Sequence, residues 1–398
     1  MTAYITPNAH LGATDAQSIQ SAIRAAVADG SLRVRIPRVN ERTGEERWVI
    51  DESISLPSGI ELLIDNAHLV LADGCFCNMF VAHGGRTEAE ALHDITLRGH
   101  GLAILDGGHY NGLSERNSEK GGMPHISKNT TLLFTNVEGL VVEDLTLTRQ
   151  RWWAITNVAV RHARFSSLRF AAELSCIDEE GVHHPNEWPK RRREMYVKNA
   201  DGIDLRVGCS NIVIEDISGF TGDDTVALTA LGGFERRFGW LPTDLSPDIH
   251  DVTVRRVDTE TFACAGIRLL NHNGNKLYNV LVEDLTLRHT EGVYRSHAAV
   301  SIGDKNYAER LSEPGETHHV TVRNVRSAAN LGVSLCRYLA DSVIEDIRAL
   351  GDGTAVGVRE GCTADLTRCR IAGLRAEAGA ILDREGLTLT ACDTNESG

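Results

Sequence analysis

One short phrase recurs along this chain and constrains the fold more than any other feature. Gly139-Leu-Val-Val-Glu-Asp-Leu-Thr-Leu147 returns as Asn211-Ile-Val-Ile-Glu-Asp-Ile-Ser218, as Asn279-Val-Leu-Val-Glu-Asp-Leu-Thr-Leu287 and as Asp341-Ser-Val-Ile-Glu-Asp-Ile347. Looser copies begin at His93, Asp251, His319 and Ala364. Each copy alternates apolar with polar residues, the period-two signature of a half-buried strand. Repetition of one unit over most of a chain predicts a solenoid, in which residues of successive coils lie side by side.

The late copies place Val320, Val343 and Leu366 at intervals of 23 residues. A coil of that length suits three short strands joined by three turns, each coil rising by the strand spacing of about 4.8 Å. The spacing predicts an all-β parallel β-helix. Leucine-rich repeats have similar periods, but their Leu-x-x-Leu-x-Leu signature is absent. Near the start, Ile19, Ala22, Ile23 and Ala26 follow a helical period. Thr14 or Asp15 can cap this helix and Gly30 can end it, predicting a capping helix over 14–29 that covers the open first coil.

No Pro- or Ser-rich linker interrupts the 398 residues, so one domain over 1–398 is expected. A formal charge of −14 argues against a nucleic-acid partner. No apolar run is long enough to span a membrane. The N-terminus lacks the basic start and apolar run of a signal peptide. Nine cysteines without zinc-type spacing read as buried, reduced thiols. These features point to a cytoplasmic protein, or to a secreted one if this is a mature form.

Acids gather near glycines at Asn199-Ala-Asp-Gly-Ile-Asp-Leu205 and Thr221-Gly-Asp-Asp-Thr-Val-Ala-Leu228. Asp201 and Asp223 are 22 residues apart, about one coil, so they are expected to stack in neighbouring coils, with Asp224 as a third carboxylate. Like charges so close raise one pKa and leave a neutral acid beside an ionised base. Glycoside hydrolysis needs that combination. Calcium binding is an alternative reading of the same oxygens, and isolated turn aspartates such as Asp106 or Asp352 simply cap backbone amides.

These two motifs, one coil apart, closely resemble the polygalacturonase-like family of glycoside hydrolases, which carries Asn-Thr-Asp-Gly-Ile-Asp followed by Gly-Asp-Asp. Gly99–Gly108, Leu132–Ile155 and the Thr14–Ala25 opening are similar to further family motifs, so the resemblance covers roughly residues 10 to 305. It implies a right-handed, single-stranded parallel β-helix and inverting hydrolysis of an oligo- or polysaccharide without a cofactor or metal. Asp223 would be the general acid, and Asp201 and Asp224 would hold and deprotonate the water.

The family's Ser/Gly-His-Gly and Arg-Ile-Lys motifs are broken here. Thr261–His272 contains no His-Gly, and Arg268 is followed by Leu270 where a lysine would fall. Asn271 and His272, or Arg295 with Lys305, are the candidate replacements, together with Asn199, so the substrate is expected not to be plain polygalacturonate. Trp152 and Trp153 are candidates for a sugar platform. Insertions over 173–198, with His183, His184 and Lys190–Arg193, and over 232–248, with Phe234, Phe238 and Trp240, are expected to wall the cleft. His183 and His184 lack a third ligand at metal-site spacing. Two other classes remain on the same fold. One is a polysaccharide lyase, for which Arg206 and Arg268 are the only nearby bases. The other is a non-catalytic carbohydrate-binding or structural solenoid.

Overall fold

Each copy of the repeated phrase is a short strand held between two left-handed bends. The computed structural model describes residues 4–109, 130–173, 176–177, 182–184, 201–262, 264–291, 294–305 and 310–395. Asn211, Asp251, Asn279 and His319 all have φ between 52° and 56°, and the residues five positions later, Asp216, Arg256, Asp284 and Asn324, have φ between 52° and 57°. Register stacks these bends: Ile212 pairs with Val252, Val252 with Val280 and Val280 with Val320, all in parallel. Asn and Asp reach this region at less cost than other side-chain-bearing residues. Their recurrence therefore turns the chain at the same two corners in every coil.

Between the corners, alternate side chains point inward. Ile212, Ile214 and Ile217 lie in rows with Val252, Val254 and Val257, then Val280, Val282 and Leu285, all buried. Each such side chain contributes at most about 1.5–3 kcal/mol. Outward, one row reads Glu215, Arg255, Glu283, Arg323 and Glu345 in successive coils. Burial works against the Glu215 carboxylate, but hydrogen bonds from Arg256, Arg255 and Arg164 hold its pKa below the usual value. Exposed ion pairs stabilise little individually. Like charges directly opposite would repel, so the alternation favours this coil-to-coil register.

A second face is formed by Ile203–Leu205, Val226–Ala230, Ala265–Asn271, Ala298–Ile302, Leu331–Leu335 and Thr354–Val358, paired in that order and in parallel. Its inward rows are apolar. Its outward row reads Thr156, Asp204, Ala227, Arg268, Ser301 and Ser334. That row is also buried, so its charged members depend on partners. The chain is thus a parallel β-helix solenoid.

The helix Asp15–Asp29 lies over the first coil, with the Thr14 side chain accepting the Gln17 N–H and Gly30 left-handed at its end. Buried Asp15 anchors it, accepting from Val49 N at 2.7 Å, Asn40 Nδ2 at 2.7 Å and Arg42 Nε at 2.8 Å. The 232–248 segment contains a short helix, Phe234–Arg237, and folds back on the turn near residue 86. Thr243 N donates to the Arg86 carbonyl at 2.9 Å, and Glu88 N donates to Asp244 at 2.8 Å. Of the 173–198 segment, the described part is Cys176–Ile177 paired antiparallel with His183–His184. Lys190–Arg193 lie outside the described residues.

Candidate active site

The strand Ile203–Leu205 carries Asp201 at its entrance. Ala154 N donates to the Asp201 carbonyl at 3.0 Å, and Gly202 N donates to the Asp224 carbonyl at 2.9 Å. Ile203 pairs with Val226, so the coil step here is 23 residues and not 22. The expected stacking of Asp201 on Asp223 is therefore corrected: Asp201 is in register with Asp224. Asp223 falls one position outside, in the turn, because that turn holds one residue more than the acid spacing suggests.

That single position sets their environments apart. Asp201 and Asp224 are buried, at 7% and 3% exposure, whereas Asp223 is partly exposed. The Asp224 N–H donates to Asp223 Oδ1 at 3.0 Å. Thr221 Oγ1 donates to the Asp223 carbonyl at 2.7 Å, and Thr261 Oγ1 donates to the same oxygen. Thr221, Thr225 and Thr259 continue this hydroxyl chain with two contacts of 3.0 Å.

Arg268 answers the charge of Asp224. Its Nε donates to Asp224 Oδ2 and one terminal nitrogen reaches Oδ1 at 3.3 Å, while Ala265 N donates to Oδ1 at 2.8 Å. Burial raises the Asp224 carboxyl, against the pull of Arg268 and Ala265. Each of these hydrogen bonds has Asp224 as the acceptor, which favours an ionised pair. Burial likewise works against the Arg268 cation, but the charge of Asp224 and its hydrogen bond lift the Arg268 pKa well above the ordinary value. The other terminal nitrogen of Arg268 donates to buried Asp304 at 2.9 Å, and Arg359 donates to the same Asp304 oxygen. Asp224, Arg268, Asp304 and Arg359 form a chain of alternating charge across several coils.

Asp204 is a fourth carboxylate. Burial pushes it up to about 8; the charge of Arg206 and a hydrogen bond with Asp201 oppose this, while the charges of Asp224 and Asp223 add to it. A hydrogen bond between two carboxyls requires a proton on one of them, and burial favours holding it on Asp204. Asp204 is visible in the Asn-Ala-Asp-Gly-Ile-Asp motif, but nothing local distinguished it from an ordinary strand residue. Arg206 is held by buried Glu235 at 2.7 Å and by Thr229, with its guanidinium 4.7 Å from the Trp153 ring and 5.3 Å from the Phe234 ring.

Ligand atoms of Asp223, Asp224 and Cys264 lie within 4.8 Å of one another. Both Asp224 oxygens already accept hydrogen bonds. Burial and the charges of Asp223 and Asp224 push the Cys264 thiol well above its ordinary value. A protonated thiol and an arginine-bound carboxylate suit a divalent cation poorly.

The remaining candidates are scattered. Trp152 and Trp153 are both buried and pack with Phe234 apart from the main core. Asn271 is buried, donating to the Asn275 carbonyl at 2.9 Å and accepting from Thr317 at 2.6 Å. His272 is buried, with its Nδ1 accepting from Ser312 N at 3.1 Å. Arg295 is drawn toward later coils by Asp352 and by the Ala328 carbonyl at 2.6 Å. Lys305 Nζ donates to the Glu360 carbonyl at 2.8 Å. Asn199 lies outside the described residues. Tyr294, 67% exposed, was not singled out from sequence. Its ring meets that of Phe262 at 5.3 Å, and the neighbouring Ser296 hydroxyl donates to the Thr261 carbonyl.

The expectation of buried cysteines is corrected in part. The eight cysteines with described side chains are all free, but only Cys209, Cys336 and Cys369 are buried. The others lie at turns and strand ends, where the solenoid leaves side chains partly open.

No known family profile and no curated protein matches the sequence. Among solved structures, the chain is similar to the tailspike protein of E. coli bacteriophage HK620 in complex with a pentasaccharide, at 13% identity over 98% of this chain and 67% of that one, with a TM-score of 0.60. It is similar to endo-xylogalacturonan hydrolase from Aspergillus tubingensis at 12% identity over 100% of both chains, TM-score 0.58. It is also similar to an exopolygalacturonase from Thermotoga maritima at 14% identity over 100% and 93%, TM-score 0.56. At these identities the likeness establishes the parallel β-helix fold.

Proposed function

We propose that this chain acts on a carbohydrate and, more narrowly, that it is an inverting glycoside hydrolase. The observation that carries this reading is the in-register pair Asp201 and Asp224 with Asp223 one residue outside it. Two buried carboxyls flank one that reaches solvent. Asp223 is the general acid: it is the most exposed of the four aspartates, so it is the one placed to meet a leaving-group oxygen. Asp201 and Asp224 hold and deprotonate the attacking water. Two of the fold neighbours are glycan hydrolases by name, which adds support.

The substrate is an oligo- or polysaccharide other than plain polygalacturonate. Arg268 is shared between Asp224 and Asp304, Leu270 is buried at the next outward position, and Arg295 and Lys305 are turned to other partners. Among the described residues a uronate carboxylate has no uncommitted two-cation clamp. Tyr294 and Phe262 supply an apolar lip for the face of a sugar ring. The lyase alternative is weakened because both of its candidate bases, Arg206 and Arg268, are buried in ion pairs.

A panel of neutral and acidic oligosaccharides with reducing-end detection tests the reading. NMR of the first-formed anomer tests its stereochemistry. The expected result is hydrolysis with inversion. An unsaturated, ultraviolet-absorbing product would overturn hydrolysis in favour of elimination. Polygalacturonate turned over faster than every other sugar would overturn the substrate assignment.

A further inference from the structure

We propose that Cys75 and Cys77, in the turn after the strand His68–Leu71, form a redox-active dithiol that closes to an intramolecular disulfide when it meets a low-molecular-weight disulfide. The two sulfurs are 2.9 Å apart and both residues are partly exposed. A disulfide bond is about 2.05 Å long, so closure needs a displacement of about 1 Å within one turn.

Arg151 adds a positive charge beneath the pair. Its guanidinium is fully buried beneath this turn, donating to the carbonyls of Cys75 and Gly107 and, at 3.3 Å, of Ala72. Carbonyls satisfy its hydrogen bonds without neutralising its charge. Nearby Asp106 is already held by Arg149 and His68, and Asp73 and Asp51 act only at longer range. Burial lowers Arg151 to about 10. The hydrogen bond from Cys77, and then the charge of Arg151, bring the Cys75 thiol down to about 7 against its own burial and the charge of Asp51. Cys77 is pushed upward by the same contact, so it stays the protonated partner.

The exchange follows directly. The Cys75 thiolate attacks one sulfur of a disulfide RSSR, forming Cys75–S–SR and releasing RS⁻, which takes up a proton. Cys77 then loses its proton, attacks the Cys75 sulfur and expels the second RS⁻. The dithiol loses two protons and two electrons, and RSSR becomes two RSH. Other thiols of the chain are internal controls. Cys336 and Cys369 are buried, with Cys369 pushed to about 11 by burial, and Cys264 lies well above its ordinary value.

The test is oxidised glutathione on the native full chain at pH 7, followed by peptide mass mapping. The expected result is loss of two hydrogens from the peptide that holds both residues. Iodoacetamide on the reduced protein should label Cys75 at least about tenfold faster than Cys362, Cys392 or Cys264. The Cys77→Ser variant should stop at a mixed disulfide on Cys75. Equal labelling rates, oxidation elsewhere with this pair left reduced, or no mixed disulfide in Cys77→Ser would each overturn the proposal.

Discussion

Asp201 stands in register with Asp224 across one coil, and the next strand places the Arg268 guanidinium on Asp224. Asp223, the neighbour of Asp224 in sequence, is left outside this pairing and partly open to solvent. Adjacent aspartates therefore differ in burial and in charged partner.

Replacing Asp223 with Asn should lower hydrolysis by about 10²–10⁴-fold, the usual contribution of a general acid. The amide oxygen of Asn can still accept the Asp224 N–H that Asp223 Oδ1 accepts, so the melting temperature should stay near that of the parent. A variant that keeps more than half the parent rate on the best substrate would remove Asp223 from the mechanism.

Arg268→Met should be strongly destabilising. It strands buried Asp224 and leaves buried Asp304 with Arg359 as its only remaining arginine partner among the described residues. Breaking a buried ion pair from one side costs about 3–5 kcal/mol. Urea unfolding of parent and variant measures the loss, and a change below about 1 kcal/mol would show that the charge chain is not structural.

Asp204 should make stability pH-dependent. Its folded pKa of about 8 lies above the usual unfolded value of about 4. Its contribution is fully present below the unfolded value and is lost as pH rises through the folded one. The stability of the parent relative to Asp204→Asn, which cannot ionise, should therefore fall between pH 5 and pH 8. The slope cannot exceed about 1.4 kcal/mol per pH unit for one proton. A difference that is flat or rises with pH would contradict a raised Asp204.

Chelation should leave activity unchanged, because the Arg268 guanidinium already supplies the positive charge that a cation would bring to Asp224. Loss of activity in EDTA with recovery on adding calcium would show that the Asp223, Asp224 and Cys264 cluster binds a cation after all.

The corner residues should respond to backbone preference and not to chemistry. Asn211, with φ of 56°, should tolerate Gly, whereas Val there should cost about 1–2 kcal/mol of strain. Equal stability of Asn211→Gly and Asn211→Val would mean that the corner is not what holds the coil.

The sequence by itself determined the solenoid. An alternating apolar strand repeated about once per coil is local information: it sets an inward face within one coil, and repetition does the rest. The Thr14 cap and Gly30 stop of the helix are legible for the same reason. The motif around Asp201, Asp223 and Asp224 located the acids but misjudged their register by one residue, because the length of a turn is not written in spacing alone. Tertiary structure decided what those acids face. Arg268 is 44 residues from Asp224 and 36 from Asp304. Asp204 looked ordinary because its high pKa arises from burial and from charges on other coils. Trp152 and Trp153 read as a platform, yet both are buried beside Phe234 from a later loop. Dihedral preference and periodicity act over a few residues, but desolvation and Coulomb energy depend on whatever the completed fold packs against a group, so only the assembled coils could settle them.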